Sequence, residues 1–147
     1  MEVSLVPPEL IDGLWPQVFP HMANAAAYTF GRYEPEDILE AVLNGDAHLW
    51  VVIAEDGAIT GITVTRFWRY PRKTCLDMVF LAGDDGFEWR DAMLSTLRRW
   101  ARDAGCDALE GSGRPGLARA FRNDGYQLLW QVFEIPVDET GGGDQDV

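Results

Sequence analysis

The residues from Arg66 to Lys73 read Arg-Phe-Trp-Arg-Tyr-Pro-Arg-Lys, four cations interleaved with three aromatic rings. Guanidinium groups beside flat rings can stack on bases, hold phosphates or anchor a protein partner. A strand end with its rings in a core and its cations in water has the same composition. Gly111-Ser112-Gly113-Arg114-Pro115-Gly116 is the most glycine-dense stretch ahead of the C-terminal tail. Such a turn can receive a phosphate at a helix N-terminus, with Arg114 helping. It lacks the Lys-Ser/Thr of a P-loop, and a tight strand-to-helix turn explains it equally well.

The other reactive side chains are sparse. His21 and His48 have no Cys or His at ligand spacing, so no metal site is expected. Cys75 and Cys106 stand far apart and form neither a disulfide framework nor a zinc motif. They are expected as reduced, buried thiols at the same end of two adjacent parallel strands. Ser4, Ser95 and Ser112 lack the surroundings of a nucleophile elbow.

These residues need elements to place them. Val3 to Val6 reads as a first strand, ended by Pro7-Pro8. Glu9 to Ala27 has helical spacing, and Pro16 and Pro20 predict a break or kink within it. Pro35 opens a second helix that Asn44-Gly45 stops. His48 to Glu55 and Ala58 to Trp68 form a hairpin about Asp56-Gly57. In its second strand Ile62, Val64, Arg66 and Trp68 share one face, and Thr63, Thr65 and Phe67 the other. Thr74 to Leu81 is a further strand. A helix over Phe87 to Ala104 follows, with Asp84 or Asp85 as N-cap and Arg98, Arg99 and Arg102 on its wet face. Cys106 to Ser112 is a strand, Pro115 to Asn123 a short helix and Tyr126 to Val137 a last strand. The order β-α-α-β-β-β-α-β-α-β predicts an α/β domain with a mixed sheet and helices on its faces.

At 147 residues the chain is the size of one domain, and 47% hydrophobic residues, including six Trp, give it a core. Residues 1–137 are expected to fold, and 138–147, acidic and Gly-rich, to be a frayed tail. The start carries no signal-peptide pattern, and no apolar run is long enough for a spanning helix, so no membrane role is expected. The net charge of -12 disfavours whole-molecule attraction to DNA or anionic lipid. That charge is unevenly placed. Residues 66–122 hold 11 of the 12 basic residues and 8 acids, a net of +3 against -15 elsewhere.

The element order resembles the GNAT family of N-acetyltransferases over about residues 3 to 135. Gly105-Cys106 after the long helix is similar to the "A..GC" that ends the family's third helix. Phe121 to Tyr126, FRNDGY, is similar to its Y-x-x-x-G-F entry into the sixth strand. The combination of FWRYPRK, a Trp-containing helix and GRPG further resembles small GNAT-like proteins of tailed phages and prophages, some of them virion-associated.

The resemblance implies acetyl-CoA, held through its pyrophosphate by an R/Q-x-x-G-x-G/A loop that opens the third helix. Here that stretch is Asp85-Gly86-Phe87-Glu88-Trp89-Arg90. Acids stand where an anion should sit, and they suit the first turn of a structural helix equally well. The family's proton-donating Tyr falls on Phe121, and its fourth-helix Asn near Arg114. Asp77 and Glu110 are the remaining candidates for a catalytic base; a strand Asp also pairs commonly with an Arg.

The reading implied is a non-catalytic binding or virion-associated protein of the phage type with a degenerate cofactor loop. No cofactor and protein partners are then expected, in a bacterial cytoplasm or a virion. Its partner surface would comprise Arg66, Trp68, Arg69, Arg72, Lys73 and Arg114. The alternative is a divergent acyltransferase holding acetyl-CoA by Val79, Phe80, Leu81 and Arg90. A second alternative is a nucleic-acid binder through residues 66–73.

Overall fold

A computed structural model describes residues 1–84, 88–113 and 115–138 of the chain. They fall into two units, one of residues 1–115 and one from residue 116 on.

The first unit is built on a five-stranded mixed sheet. Its strands are β1 (Glu2–Leu5), β2 (His48–Ile53), β3 (Ile59–Arg69), β4 (Thr74–Gly83) and β5 (Ala108–Gly111), in the spatial order of their numbers. The first four pair antiparallel, and β5 joins β4 in parallel. Gly57, with φ +87°, turns the β2–β3 hairpin as its Asp-Gly dipeptide predicts.

Helices α1 (Ile11–Ala26) and α2 (Pro35–Leu43) cover one face and α3 (Arg90–Asp103) the other. The strand alternation sorts the core between them. Leu49, Val51, Ile62 and Val64 pack beneath α1 and α2 with Val18, Met22, Ile38 and Val42. Trp50, Val52 and Leu76 pack beneath α3 with Trp89, Met93, Leu97 and Ala101. The expected division of β3 between Ile62/Val64 and Phe67 is the one observed.

Several boundaries differ from the sequence reading. The prolines do not interrupt α1, which runs unbroken from Ile11 to Ala26 after a short 3₁₀ turn at Pro8–Leu10. Pro16 and Pro20 are four residues apart, hence on one side of the helix, and both are exposed. The carbonyls they leave without an N–H partner therefore face water, which satisfies them. At α2 the carboxylate of Asp37 accepts the Glu34 N–H at 2.9 Å in a capping box.

Helix α3 begins at Arg90 with Trp89 as its N-cap, later than the sequence predicts. Asp85, one of the two expected caps, and Phe87, the expected first residue, lie outside the described residues. So does the expected tail after Asp138.

After β5, α4 (Pro115–Arg119) and a 3₁₀ turn at Arg122–Asp124 take the place of one short helix. Residues 126–136 form no strand. The segment has the composition of a strand, but a strand exists only where a neighbour completes its ladder.

Candidate functional site

Three charged side chains form one row across the sheet. Arg66 on β3 is the register partner of Asp77 on β4, and Asp77 is the partner of Glu110 on β5. Equivalent positions on paired strands share a face, so the two sequence-expected bases lie side by side. The sequence alone could not align them, because 33 residues and a helix separate them.

Each carboxylate has its own partner. Arg66 Nε donates to Asp77 Oδ2 at 3.1 Å. Asp77 is only 6% exposed, and that burial raises its pKa against the opposing pull of the Arg66 hydrogen bond and charge. The Tyr70 hydroxyl donates to Glu110, 2.7 Å from one carboxylate oxygen and 2.8 Å from the other. This bond pushes the phenol up to about 12. Burial raises the thiol of Cys75, with the adjacent Glu110 adding to it.

The row lies next to a change in the sheet. Pairing between β4 and β5 ends at Met78–Gly111, one rung beyond Asp77–Glu110. Strand β4 continues to Gly83, paired among the described residues with β3 alone. At the same point the β3–β4 register passes from Thr65–Met78 to Val64–Phe80, so Val79 is an extra residue in β4. A bulge bends its strand and ends pairing locally. Val79, Phe80 and Leu81 therefore offer backbone groups that β5 does not use. The Phe80 ring is held edge-on to Tyr33, with centroids 5.3 Å apart.

At the far end of β4 the controlling residue is Trp89, which sequence reasoning passed over. It is 2% exposed, and its indole N–H donates to the Asp84 carbonyl at 3.3 Å. A Cβ at Gly61 or Gly83 would lie 2.7 or 2.4 Å from that ring. Glycine inside a strand signals this kind of approach. The interior glycines of β3 and β4 were thus the clue to Trp89. Arg90 beside it pairs with Asp91 at 2.7 Å. Asp84 and Glu88, both exposed, precede the helix.

The basic-aromatic stretch does not form one platform. The Arg66 guanidinium lies 4.5 Å from the centroid of Trp68, which is 41% exposed. Phe67, on the opposite face, stacks on Trp100 at 5.4 Å beneath Arg69. Arg72 and Lys73 are exposed at the hairpin tip. Arg114 lies outside the described residues. Cys75 and Cys106 are free thiols at the same end of β4 and β5, since Cys75 pairs with Ala108.

Among the described residues no group of His, Cys, Asp and Glu is placed to hold a metal. None of their helices is long and apolar enough to cross a membrane.

No family model and no curated protein matches the sequence. Solved structures do match the fold. A probable acetyltransferase superposes with TM-score 0.70 at 13% identity, over 94% of this chain and 99% of its own. A ribosomal-protein-alanine N-acetyltransferase from Brucella melitensis biovar Abortus 2308 gives 0.67 at 12%, over 92% and 99%. A GNAT family acetyltransferase from Staphylococcus aureus gives 0.66 at 13%, over 92% and 98%. At these identities the likeness concerns architecture: the chain has the fold of the GNAT acetyltransferases.

Proposed function

We propose that the chain is a divergent acyltransferase that moves an acyl group from an acyl-CoA to an amine. The observation that carries this reading is the end of β4–β5 pairing at the Val79 bulge, beside the Asp77–Glu110 pair.

The fit to acyl-CoA differs along its length. The edge of Val79 to Gly83 that β5 does not pair with suits the amides of a pantetheine arm, which can bond to it as a strand would. The diphosphate position fits poorly, because Asp84 and Glu88 precede α3. Two unit charges about 5 Å apart repel by roughly 3 kcal/mol at an effective dielectric of 20, and by less in water. Bound acyl-CoA would supply a thioester carbonyl. The chain's residues would hold the amine and take its proton. Asp77 is engaged by Arg66, so Glu110 is the carboxylate to receive that proton, and Tyr70 orients it.

The test is acetyl-CoA binding followed by release of free thiol in the presence of amines. Saturating acetyl-CoA, at about 100 times its dissociation constant, should add about 2.7 kcal/mol of stability. Glu88→Arg should tighten binding by about tenfold. Glu110→Gln should bind acetyl-CoA as the wild type does but release thiol at least about 100 times more slowly.

A second reading is favoured by the same acidic entry and by Phe121, which has no hydroxyl to protonate a thiolate. The chain is then a binding protein without acyl transfer, of the kind that small phage GNAT-like proteins exemplify. No thermal shift with acetyl-CoA in either the wild type or Glu88→Arg would decide for it.

A further inference from the structure

Two groups of unlike charge in the first unit lie at opposite ends of the sheet. Eleven residues of β3, at about 3.3 Å each, set these ends roughly 33 Å apart. At one end the hairpin closed by the Tyr70 N–H to Lys73 carbonyl bond presents Arg69, Arg72 and Lys73. The Asp107 N–H donates to the Thr74 carbonyl at 2.8 Å, bringing the end of α3 to the same place with Arg99 and Arg102. All five cations are exposed, and none is in an ion pair among the described residues. The acids beside them are Asp103, Asp107 and Glu110; the Asp107 carboxylate accepts the Thr74 N–H at 3.0 Å and Glu110 accepts the Tyr70 hydroxyl.

The opposite end is acidic. Glu55 and Asp56 occupy the β2–β3 turn, and Asp84 and Glu88 lie between β4 and α3. A bond from the Asp84 N–H to the Thr60 carbonyl, 2.8 Å, ties the end of β4 to the start of β3 next to that turn. The cation nearest in sequence, Arg90, pairs with Asp91.

We propose that the basic end is a docking surface for the acidic end of a second copy of this chain, in a head-to-tail contact. The ends are separated by far more than the Debye length of about 8 Å at physiological salt, so they do not neutralise each other within one molecule. Each is free to attract its opposite on a neighbour. A single-stranded nucleic acid suits the basic end less well. The rings that would stack on bases are divided between the two faces, with Arg66 over Trp68 and Phe67 against Trp100. A contact between unlike surfaces of identical chains is heterologous and can propagate.

Sedimentation velocity at about 20 mM and about 500 mM NaCl tests this. At low salt the average mass should rise with protein concentration above the 16.4 kDa of one chain, and at high salt return to it. Arg72→Glu/Lys73→Glu and Glu55→Lys/Glu88→Lys should each weaken the association alone by about tenfold or more. Mixed in equal amounts, the two should associate again, because their ends are now complementary between variants. Glu36→Lys/Glu40→Lys, with the same net-charge change on the exposed side of α2, should behave as the wild type. The proposal is overturned if the wild type is monomeric at low salt or if either reversal variant associates as the wild type does. It also fails if the mixture stays monomeric, or if a labelled twenty-residue oligothymidine (about 20 nucleotides) binds the basic end of a chain that remains monomeric.

Discussion

At the scale of single residues, the candidate site depends on how two carboxylates are partnered. Asp77 is buried with an arginine, and Glu110 receives a phenol. The Tyr70 pKa lies above its unfolded value, so the folded state retains a proton that the unfolded state gives up. The stability this bond provides is complete below pH 10 and is lost as the pH rises towards about 12. An absorbance titration of the four tyrosines should show one ionising near 12, returning towards 10 in Glu110→Gln. Tyr70→Phe should lack the alkaline loss of stability. A second residue-scale outcome concerns Thr63, fully buried with its hydroxyl unpartnered among the described residues. Thr63→Val keeps the shape and removes the stranded donor, and should raise stability by about 1 kcal/mol in urea unfolding. Asp77 and Glu110 were legible in the sequence as strand carboxylates. Their adjacency was not, because register is set by a parallel crossover that no local pattern records.

At the scale of elements, the sequence was most readable where periodicity is strong. The alternation in β3 assigned its two faces, Pro35 marked the start of α2, and Asp56-Gly57 marked the hairpin. It misled where an element's fate depends on something distant. The acids at Asp84 and Asp85 suggested an N-cap, yet the start of α3 is set by Trp89 reaching back across β4 to Gly61 and Gly83. Gly83→Ala should cost about 1–3 kcal/mol by driving a Cβ into the indole. In a Trp89→Leu background the same change should cost less, and a double-mutant cycle by thermal or urea unfolding measures the difference. Prolines in α1 misled for the opposite reason: exposed carbonyls tolerate what a buried helix would not.

At the scale of the whole molecule, each unit has its own character. Residues 1–115 carry a two-sided core and oppositely charged ends. In the second unit Leu128, Trp130, Phe133 and Ile135 are 70%, 64%, 81% and 74% exposed, the composition of a strand without its ladder. Exposed apolar groups in series bind hydrophobic dyes. Trp130→Ser/Phe133→Ser should therefore lower anilinonaphthalene sulfonate fluorescence. The strand composition of this segment was readable from its sequence, and its state was not, because pairing is a property of two segments.

The wedge of Trp89 between two glycines also has a consequence for descent. None of the three positions can drift alone: a side chain at either glycine evicts the indole, and a smaller residue in place of the indole leaves a void. In chains that share ancestry with this one, Gly61, Gly83 and Trp89 should be inherited as a set or exchanged together, and a deep collection of such sequences in which they vary independently would contradict that linkage.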